Sequence, residues 1–187
     1  NLTPRILESR RQLLDGSQVV VLDTNLPSES IQWVAENCRA PIFADPVSTA
    51  KAEKLRPVLG KLHTLKPNRL ETELLSGVPI TDDDSLCRAA DALLETGLHR
   101  VFISLGADGV FAADHSGQKR KLPALKGNIV STTGCGDAFM AALAWAYLQG
   151  SDLEKSARAG RAASTVTMAS AETISAAMSE QALLAHM

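Results

Sequence analysis

The sequence predicts an α/β fold built around a mostly parallel sheet. Through the first two-thirds of the chain, short β-branched runs alternate with segments of helical periodicity, which is typical of a parallel sheet with helices on its faces. The apolar runs end in polar residues, as buried parallel strands do, and helical patterns dominate the last third. The 187 residues contain neither an internal repeat nor a low-complexity linker, so we predict a single α/β domain over residues 1–187.

Strand and helix alternate in order along the first half. We predict strands at QVVVLD, PIFAD and LHTLKPN, which are residues 18–23, 41–45 and 62–68. A helical pattern follows each strand, at residues 28–38, 48–60 and 68–77. Ser28 is a candidate cap for the first of these helices, and Gly77 ends the third.

The second half begins with a helix that carries signals at both ends. Acidic residues open the helical pattern at residues 82–97, and Gly97 ends it. The runs RVFISLG and GVFAAD, residues 100–106 and 109–114, predict two strands separated by a turn. Three helices follow, from the GCGD segment to about Tyr147, over residues 152–168 and over residues 174–186.

Composition and charge exclude several classes of function. The formal net charge of −2 gives no argument for nucleic acid or an anionic membrane, and no apolar run approaches the length needed to span a bilayer. The 3 cysteines are scattered without a C-x-x-C pair, which favours a reducing compartment, so we predict a cytoplasmic protein. The chain starts at Asn1 rather than at a methionine, which suggests a processed product or a fragment.

The segment STTGCGDAF carries the most specific chemistry of the chain. Gly134 and Gly136 flank Cys135 at the start of a predicted helix, and Asp137 follows at once. Backbone amides at a helix start have no partner inside the helix, so this corner could bind an anion such as a phosphate. The alternative is an ordinary helix cap, in which Thr132, Thr133 or Asp137 accepts from those amides.

Among the reactions that an anion-binding corner suits, phosphoryl transfer fits these residues best. The chain has no Walker P-loop, no G-x-S-x-G elbow and no H-E-x-x-H, and GCGDAF lacks the third glycine of a dinucleotide site. Asp137 could take the proton of an acceptor hydroxyl beside the bound phosphate. Asn68 and Glu71 could hold Mg²⁺ through its waters, or they could simply form a helix cap with its partner. The segment SLGADGV could be a plain β-turn, a turn that admits a nucleotide, or both.

Three segments resemble one family. TTGCGDAF is similar to the signature D-T-x-G-[AC]-G-D-x-F of the ribokinase-like (PfkB) carbohydrate kinases, KPNRLETE to their N-x-x-E element, and SLGADGV to their nucleotide turn. The three occur in the family's order, and the resemblance runs over nearly the whole chain. It implies a three-layer α/β/α ribokinase-like fold. Within the family, FADPVS and LHTLKPNRLE are most similar to the pseudouridine kinases, which implies a nucleoside acceptor phosphorylated with ATP and Mg²⁺.

The resemblance also implies roles for single residues. Asp137 would be the catalytic base, and Gly134, Cys135 and Gly136 would form the anion hole. Asn25 would face the sugar. The residues that would contact ATP are Lys66, Asn68, Ser104, Gly106, Gly109 and Arg161, and the residues that would serve Mg²⁺ are Asn68 and Glu71. The partner would be a small sugar or nucleoside, and the full-length protein could form a homodimer.

Two departures from the family pattern put parts of this interpretation in doubt. Ser131 stands where the family has an aspartate that helps bind potassium, so dependence on a monovalent cation is doubtful. The family's N-terminal half, with its G-G sugar motif and β-strand lid, is absent from these residues. A non-catalytic nucleotide-binding fragment or pseudokinase is therefore the alternative to an active kinase. A nicotinamide-dependent oxidoreductase rests only on the α/β pattern and a partial glycine motif.

Overall fold

The computed structural model describes residues 2–187, and its six strands form one sheet in the order β1-β2-β3-β4-β5-β6. The strands are Val20–Asp23 (β1), Ile42–Asp45 (β2), Thr64–Leu65 (β3), Arg100–Ser104 (β4), Val110–Asp114 (β5) and Lys119–Leu122 (β6). Strands β1 to β4 pair in parallel, with Asp23 opposite Asp45 at the carboxyl end of the first pair. The prediction of an α/β fold with a mostly parallel sheet is confirmed.

Helices connect the strands and form most of the last third of the described residues. The α-helices are Pro4–Ser9 (α1), Arg11–Asp15 (α2), Ser28–Asn37 (α3), Thr49–Ala52 (α4), Arg69–Ser76 (α5), Asp83–Leu94 (α6), Cys135–Leu148 (α7), Leu153–Met168 (α8) and Glu180–His186 (α9). Two 3-10 helices span Glu53–Lys61 and Gly106–Asp108. Across residues 2–187, no helix is both long enough and apolar enough to cross a bilayer.

The chain divides into two compact units. The first consists of the residues up to Ser104 together with Ala113–Gln118, and the second of Leu105–Ala112 together with Lys119–Met187. The first unit is built on β1 to β4, and its fully buried side chains include Ile31, Phe43 and Phe102. Burial of such large apolar side chains is the main favourable contribution to folding.

In the second unit, α7 packs against α8 at short range. A Cβ added at Gly160 would lie 2.3 Å from Phe139 Cε1, so only a glycine allows the two helices to approach this closely. Ala142, Ala146, Ala159, Ala162, Ala163 and Leu183 form one buried cluster that joins α7, α8 and α9.

Several predicted elements differ from the structure. The helix predicted over residues 48–60 is a short α4 followed by the 3-10 helix Glu53–Lys61, because Pro57 lacks the N–H that an α-helix interior requires. The strand predicted over residues 62–68 is reduced to β3 and a single bridge between Asn68 and Ser104. Ser28 is the first residue of α3 rather than its cap.

The chain's last elements also depart from the prediction. Strand β6 was not predicted, because KRKL is charged and half exposed and has no apolar alternation. The last helix begins at Glu180 rather than near residue 174, since the Ser179 side chain accepts from the Ala182 N–H and caps it there.

Candidate active site

The corner predicted to bind an anion lies at the start of α7. Gly134 occupies the cap position with a φ of 83°, and no side chain caps this helix. The structure therefore shows no cap by the side chain of Thr132, Thr133 or Asp137, although the backbone carbonyl of Thr132 satisfies one of the free amides. A Cβ on Gly134 would lie 2.2 Å from the carbonyl oxygen of Thr173, so the position requires glycine. Part of the donor set is already used, because the Cys135 N–H donates to the Thr132 carbonyl at 3.3 Å.

Cys135 is held by α8. The Ser164 hydroxyl donates to the Cys135 carbonyl at 3.1 Å, and the Cys135 thiol contacts the Ser164 carbonyl at 3.7 Å. Burial raises the pKa of the Cys135 thiol, which lowers its thiolate fraction and hence its reactivity. These contacts favour a packing role for Cys135 over redox chemistry.

Asp137 stands in the first turn of α7 and is exposed, as is Gly136. The positive end of the helix dipole stabilises a carboxylate at this position. Asp137 and Gly134 also border a groove of about 540 Å³ lined mainly by apolar residues of α7, α8 and the segment before α9. The corner therefore offers an accessible carboxylate next to backbone amides that have no side-chain cap.

The turn predicted to admit a nucleotide and Arg161 lie against the same segment of the second unit. The Leu105 N–H donates to the Gly109 carbonyl at 2.9 Å, which closes the turn around Gly106. A Cβ on Gly109 would lie 2.0 Å from the Leu122 carbonyl oxygen, and Arg161 Nη1 donates to the Pro123 carbonyl at 2.9 Å. Leu122 and Pro123 are adjacent, so the structure brings Gly109 and Arg161 close together.

Arg161 keeps an unused donor. Its Nε is buried and has no hydrogen-bond partner among the residues that the structure describes. Burial lowers the pKa of Arg161, and the charge of Arg158 lowers it further. A buried donor without a partner is costly, so this guanidinium is suited to an acceptor group on a ligand.

In the first unit, Asn68 and Glu71 form a reciprocal cap at the start of α5. Asn68 Oδ1 accepts from the Glu71 N–H at 2.9 Å, and Glu71 Oε2 accepts from the Asn68 N–H at 2.8 Å. The helix-cap alternative for this pair is thus confirmed. Asn68 also bridges to Ser104, whose N–H donates to the Pro67 carbonyl at 2.9 Å. The structure therefore brings Asn68, Glu71 and Ser104 together.

A buried ion pair lies beside this cap. Lys66 is only 6% exposed, and its Nζ lies 3.0 Å from Asp45 Oδ2. Burial raises the pKa of Glu71, and the charge of Asp45 raises it further, whereas the Asn68 N–H and Lys66 oppose this rise. Sequence reasoning placed Asp45 at a strand end but missed its pairing with Lys66.

The donors near Glu71 suit a cation that keeps most of its water. Across residues 2–187, no group of three or more His, Cys, Asp or Glu side chains is arranged to hold a metal ion. Magnesium is often bound through one or two carboxylates and several waters, so Glu71 with Asn68 fits Mg²⁺ better than it fits a fully dehydrated metal.

Asn25, predicted to face the sugar, lies just beyond β1 and is exposed. Its N–H donates to Asp23 Oδ1 at 2.9 Å, and its Nδ2 donates to Asp23 Oδ2 at 2.8 Å. Lys51 Nζ donates to Asn25 Oδ1. These contacts fix the orientation of the amide within the first unit.

Comparison with known proteins agrees with these motifs. The family model described as pfkB family carbohydrate kinase matches residues 3–180. The chain belongs to the PfkB carbohydrate kinase family. Its ribokinase-like fold is shared with the ribokinase of Thermotoga maritima, at 25% identity and a TM-score of 0.84 over 100% of this chain and 61% of that one. It is also shared with the ribokinase of Arabidopsis thaliana solved with ribose and ATP, at 20% identity and a TM-score of 0.81 over 95% of this chain and 58% of that one.

A curated relative within the PfkB family is more similar in sequence. Pseudouridine kinase of Escherichia coli is 35% identical over 168 residues, which are 89% of this chain and 54% of that protein. The chain thus spans about half the length of the curated relatives that it matches.

Proposed function

We propose that this protein transfers the γ-phosphoryl group of ATP to a hydroxyl of a sugar or nucleoside, with pseudouridine as the leading acceptor and pseudouridine 5′-phosphate as the product. The observation that carries the proposal is the start of α7. Backbone amides without a side-chain cap lie there beside the exposed Asp137, and the cap residue Gly134 has no room for a side chain. Pseudouridine is favoured over other acceptors by the 35% identity to a pseudouridine kinase.

The reaction assigns one task to each part of the corner. The amides of Gly134 to Gly136 hold the transferred phosphoryl group, which places donors where negative charge develops, and the Cys135 N–H would exchange its 3.3 Å contact with the Thr132 carbonyl for the phosphate. The acceptor oxygen attacks phosphorus, the bond to the oxygen bridging the β- and γ-phosphates breaks, and ADP leaves. The hydroxyl proton passes to Asp137, which must lie within hydrogen-bond reach of the attacking oxygen.

Other residues serve the nucleotide and its cation. In the second unit, the turn from Gly106 to Gly109 and the unused donor of Arg161 are assigned to ATP. For the first unit, the family resemblance assigns Ser104 and Lys66 as nucleotide contacts, and these assignments remain predictions. Asn68 and Glu71 would hold Mg²⁺, which would neutralise phosphate charge when bound.

A second candidate function is a nucleotide-binding module without turnover. One observation favours it: the chain spans only about half the length of its curated relatives, and its match covers 54% of the pseudouridine kinase of Escherichia coli. An acceptor held by few contacts would supply little binding energy to the transition state. We therefore expect the 187-residue chain to bind ATP weakly and to turn over slowly.

A cytoplasmic location and a homodimer of the full-length protein are further parts of the kinase proposal.

The substitution Asp137→Asn tests the kinase proposal. We expect turnover to fall by about 10²–10⁴-fold with nearly unchanged ATP affinity, because the amide cannot accept the proton but leaves the phosphate contacts in place. ADP formation with pseudouridine, uridine and ribose measures the first quantity, and calorimetric titration with ATP measures the second.

Asp84→Asn is a matched control for that experiment, because Asp84 is also an exposed aspartate in the first turn of a helix, α6. The control should behave as the wild type. Equal turnover in Asp137→Asn and wild type would remove the base from the mechanism. ATP binding with no acceptor-dependent ADP formation would favour the second candidate.

A further inference from the structure

The ends of β1 and β2 are built in the same way. Asp23 and Asp45 are opposite each other in register, and each is the last residue of its strand. In both cases Oδ1 of the aspartate accepts the N–H two residues ahead, from Asn25 at 2.9 Å and from Val47 at 2.9 Å. The carboxyl ends of adjacent parallel strands therefore present Asn25 and Val47 at equivalent positions.

Val47 adopts a backbone conformation that valine normally avoids. Its φ is 63°, and it is the only residue other than glycine with a positive φ among residues 2–187. A β-branched side chain is strained in this region, whereas glycine would adopt it freely. Val47 is also 45% exposed, so burial in the core does not explain the choice of valine. Strained residues of this kind cluster at sites that contact ligands.

Neighbouring strands hold the strained turn in place. Oδ2 of Asp45 accepts from Lys66 Nζ at 3.0 Å, while its Oδ1 accepts from Val47. On the other side, the Thr24 hydroxyl donates to the carbonyl of Pro46. Thr24 and Pro46 immediately precede Asn25 and Val47 in the chain. Their hydrogen bond therefore keeps the two strand ends adjacent one residue before Asn25 and Val47.

We propose that Val47 contacts the phosphoryl acceptor beside Asn25 and thereby helps to select a sugar ring. A furanose presents hydroxyl groups at its edge and C–H groups on its face. The Asn25 amide suits the hydroxyl edge, and the Val47 side chain suits the C–H face, in the way that binding sites combine apolar contacts with a few polar ones. Asp45 is a positioning residue, because it fixes the backbone of Val47. This inference rests on the proposed function.

A methyl-labelled sample of the 187-residue chain tests the contact directly. Pseudouridine, uridine and ribose are titrated in turn, and the methyl resonances of Val47 and Val21 are followed by NMR. Val21 is the matched control, because it is 51% exposed in the same unit and lies in β1 rather than in the turn. We expect the Val47 methyl resonances to shift with acceptor and those of Val21 to stay unchanged.

The variant Val47→Gly separates contact from structure. We expect the acceptor dissociation constant to rise about tenfold, as for the loss of a small apolar contact, while the ATP dissociation constant changes less than about twofold. Glycine relieves the backbone strain, so the melting temperature should be equal or higher. Val21→Ala should leave both dissociation constants unchanged.

The outcomes distinguish this inference from the proposed activity. An unchanged acceptor dissociation constant in Val47→Gly would overturn the inference, as would weaker binding of acceptor and ATP together with a lower melting temperature. A wild-type chain that binds none of the three acceptors would also overturn it. If acceptor binds and shifts the Val47 resonances but no ADP forms with ATP present, the inference stands and the proposed kinase activity of this chain fails.

Discussion

Glu71 combines a helix cap with a buried charge. One of its oxygens accepts from the Asn68 N–H, and the side chain lies in a region where burial raises the pKa of the carboxyl. A desolvated carboxylate gains more from an arriving cation than an exposed one does, because water no longer compensates its charge. In the proposed kinase, capping the helix would therefore orient the carboxylate for Mg²⁺ rather than compete with it.

The substitutions Glu71→Gln and Asn68→Ala separate the two roles. Glutamine keeps an acceptor oxygen, so we expect near wild-type stability with roughly a tenfold higher Mg²⁺ requirement for ATP binding, about 1.4 kcal/mol. Alanine at position 68 removes the cap acceptor and should lower the free energy of unfolding by about 1 kcal/mol. Urea denaturation and Mg²⁺ titration of ATP binding measure the two effects. An unchanged Mg²⁺ requirement in Glu71→Gln would contradict the metal role.

Single candidate residues could be selected from the sequence where a short motif contains them. Asp137, Asn68 and Gly109 could be identified because glycine turns and N-x-x-E spacing are local signals. The contacts that position the neighbouring residues Gly134 and Arg161 were not predictable in the same way. Thr173 behind Gly134 and Pro123 under Arg161 are contacts between distant parts of the chain, and no local pattern specifies them.

Among the helices, α7 differs from α6 and α8 at its first turn. The side chains of Asp82 and Asp152 cap α6 and α8, whereas Gly134 leaves α7 without a side-chain cap. Sequence periodicity predicted α3, α5 and α6 closely. The cap signals were right for both ends of α5, whereas Ser28 does not cap α3 and α6 ends at Leu94 rather than at Gly97. The same signals failed for the 3-10 helix Glu53–Lys61 and for β6, where a proline and a charged strand override the periodic pattern.

The start of α7 should be more sensitive to an added methyl group than an open turn is. Gly134 and Gly117 have φ values of 83° and 87°, but only at Gly134 would a Cβ approach another atom within 4 Å. Gly117→Ala measures the backbone strain alone, which costs about 1 kcal/mol. Gly134→Ala adds a clash with the Thr173 carbonyl, and we expect a further loss of roughly 1–3 kcal/mol in denaturant unfolding. Equal losses of unfolding free energy in the two variants would show that the segment around Thr173 moves away from the added methyl group without cost.

For the molecule as a whole, the sequence predicted the α/β class and a mostly parallel sheet, because alternation of strand and helix leaves few topologies open. The division into two compact units was not predicted. It depends on which residues contact one another across long stretches of chain, and composition gave no linker to mark it. A titratable side chain whose contacts are known provides a test of the stability of the whole molecule.

His63 is such a group. Its ring stacks on Phe43 with centroids 5.3 Å apart and on His99 at 5.5 Å, and His115 meets His99 edge-on at 4.9 Å. Burial, together with smaller contributions from the charges of Arg100, His99 and His115, lowers the pKa of His63 to about 4. The folded protein therefore keeps His63 neutral under conditions in which the unfolded chain already binds a proton.

The sign of the resulting pH dependence follows from this difference. Above the unfolded pKa of about 6.5, both states hold His63 neutral and it contributes no slope. Between pH 6.5 and about 4 the unfolded state gains the proton first, so the free energy of unfolding falls as pH falls. Because His63 is only half buried and solvent screens its charge, we expect a loss of about 1 kcal/mol. Urea denaturation at pH 7.5 and 4.5 measures it. His63→Gln should reduce the loss, whereas His186→Gln, which changes an exposed histidine, should not. An identical loss in His63→Gln and wild type would mean that groups other than His63 set the acid sensitivity of the protein.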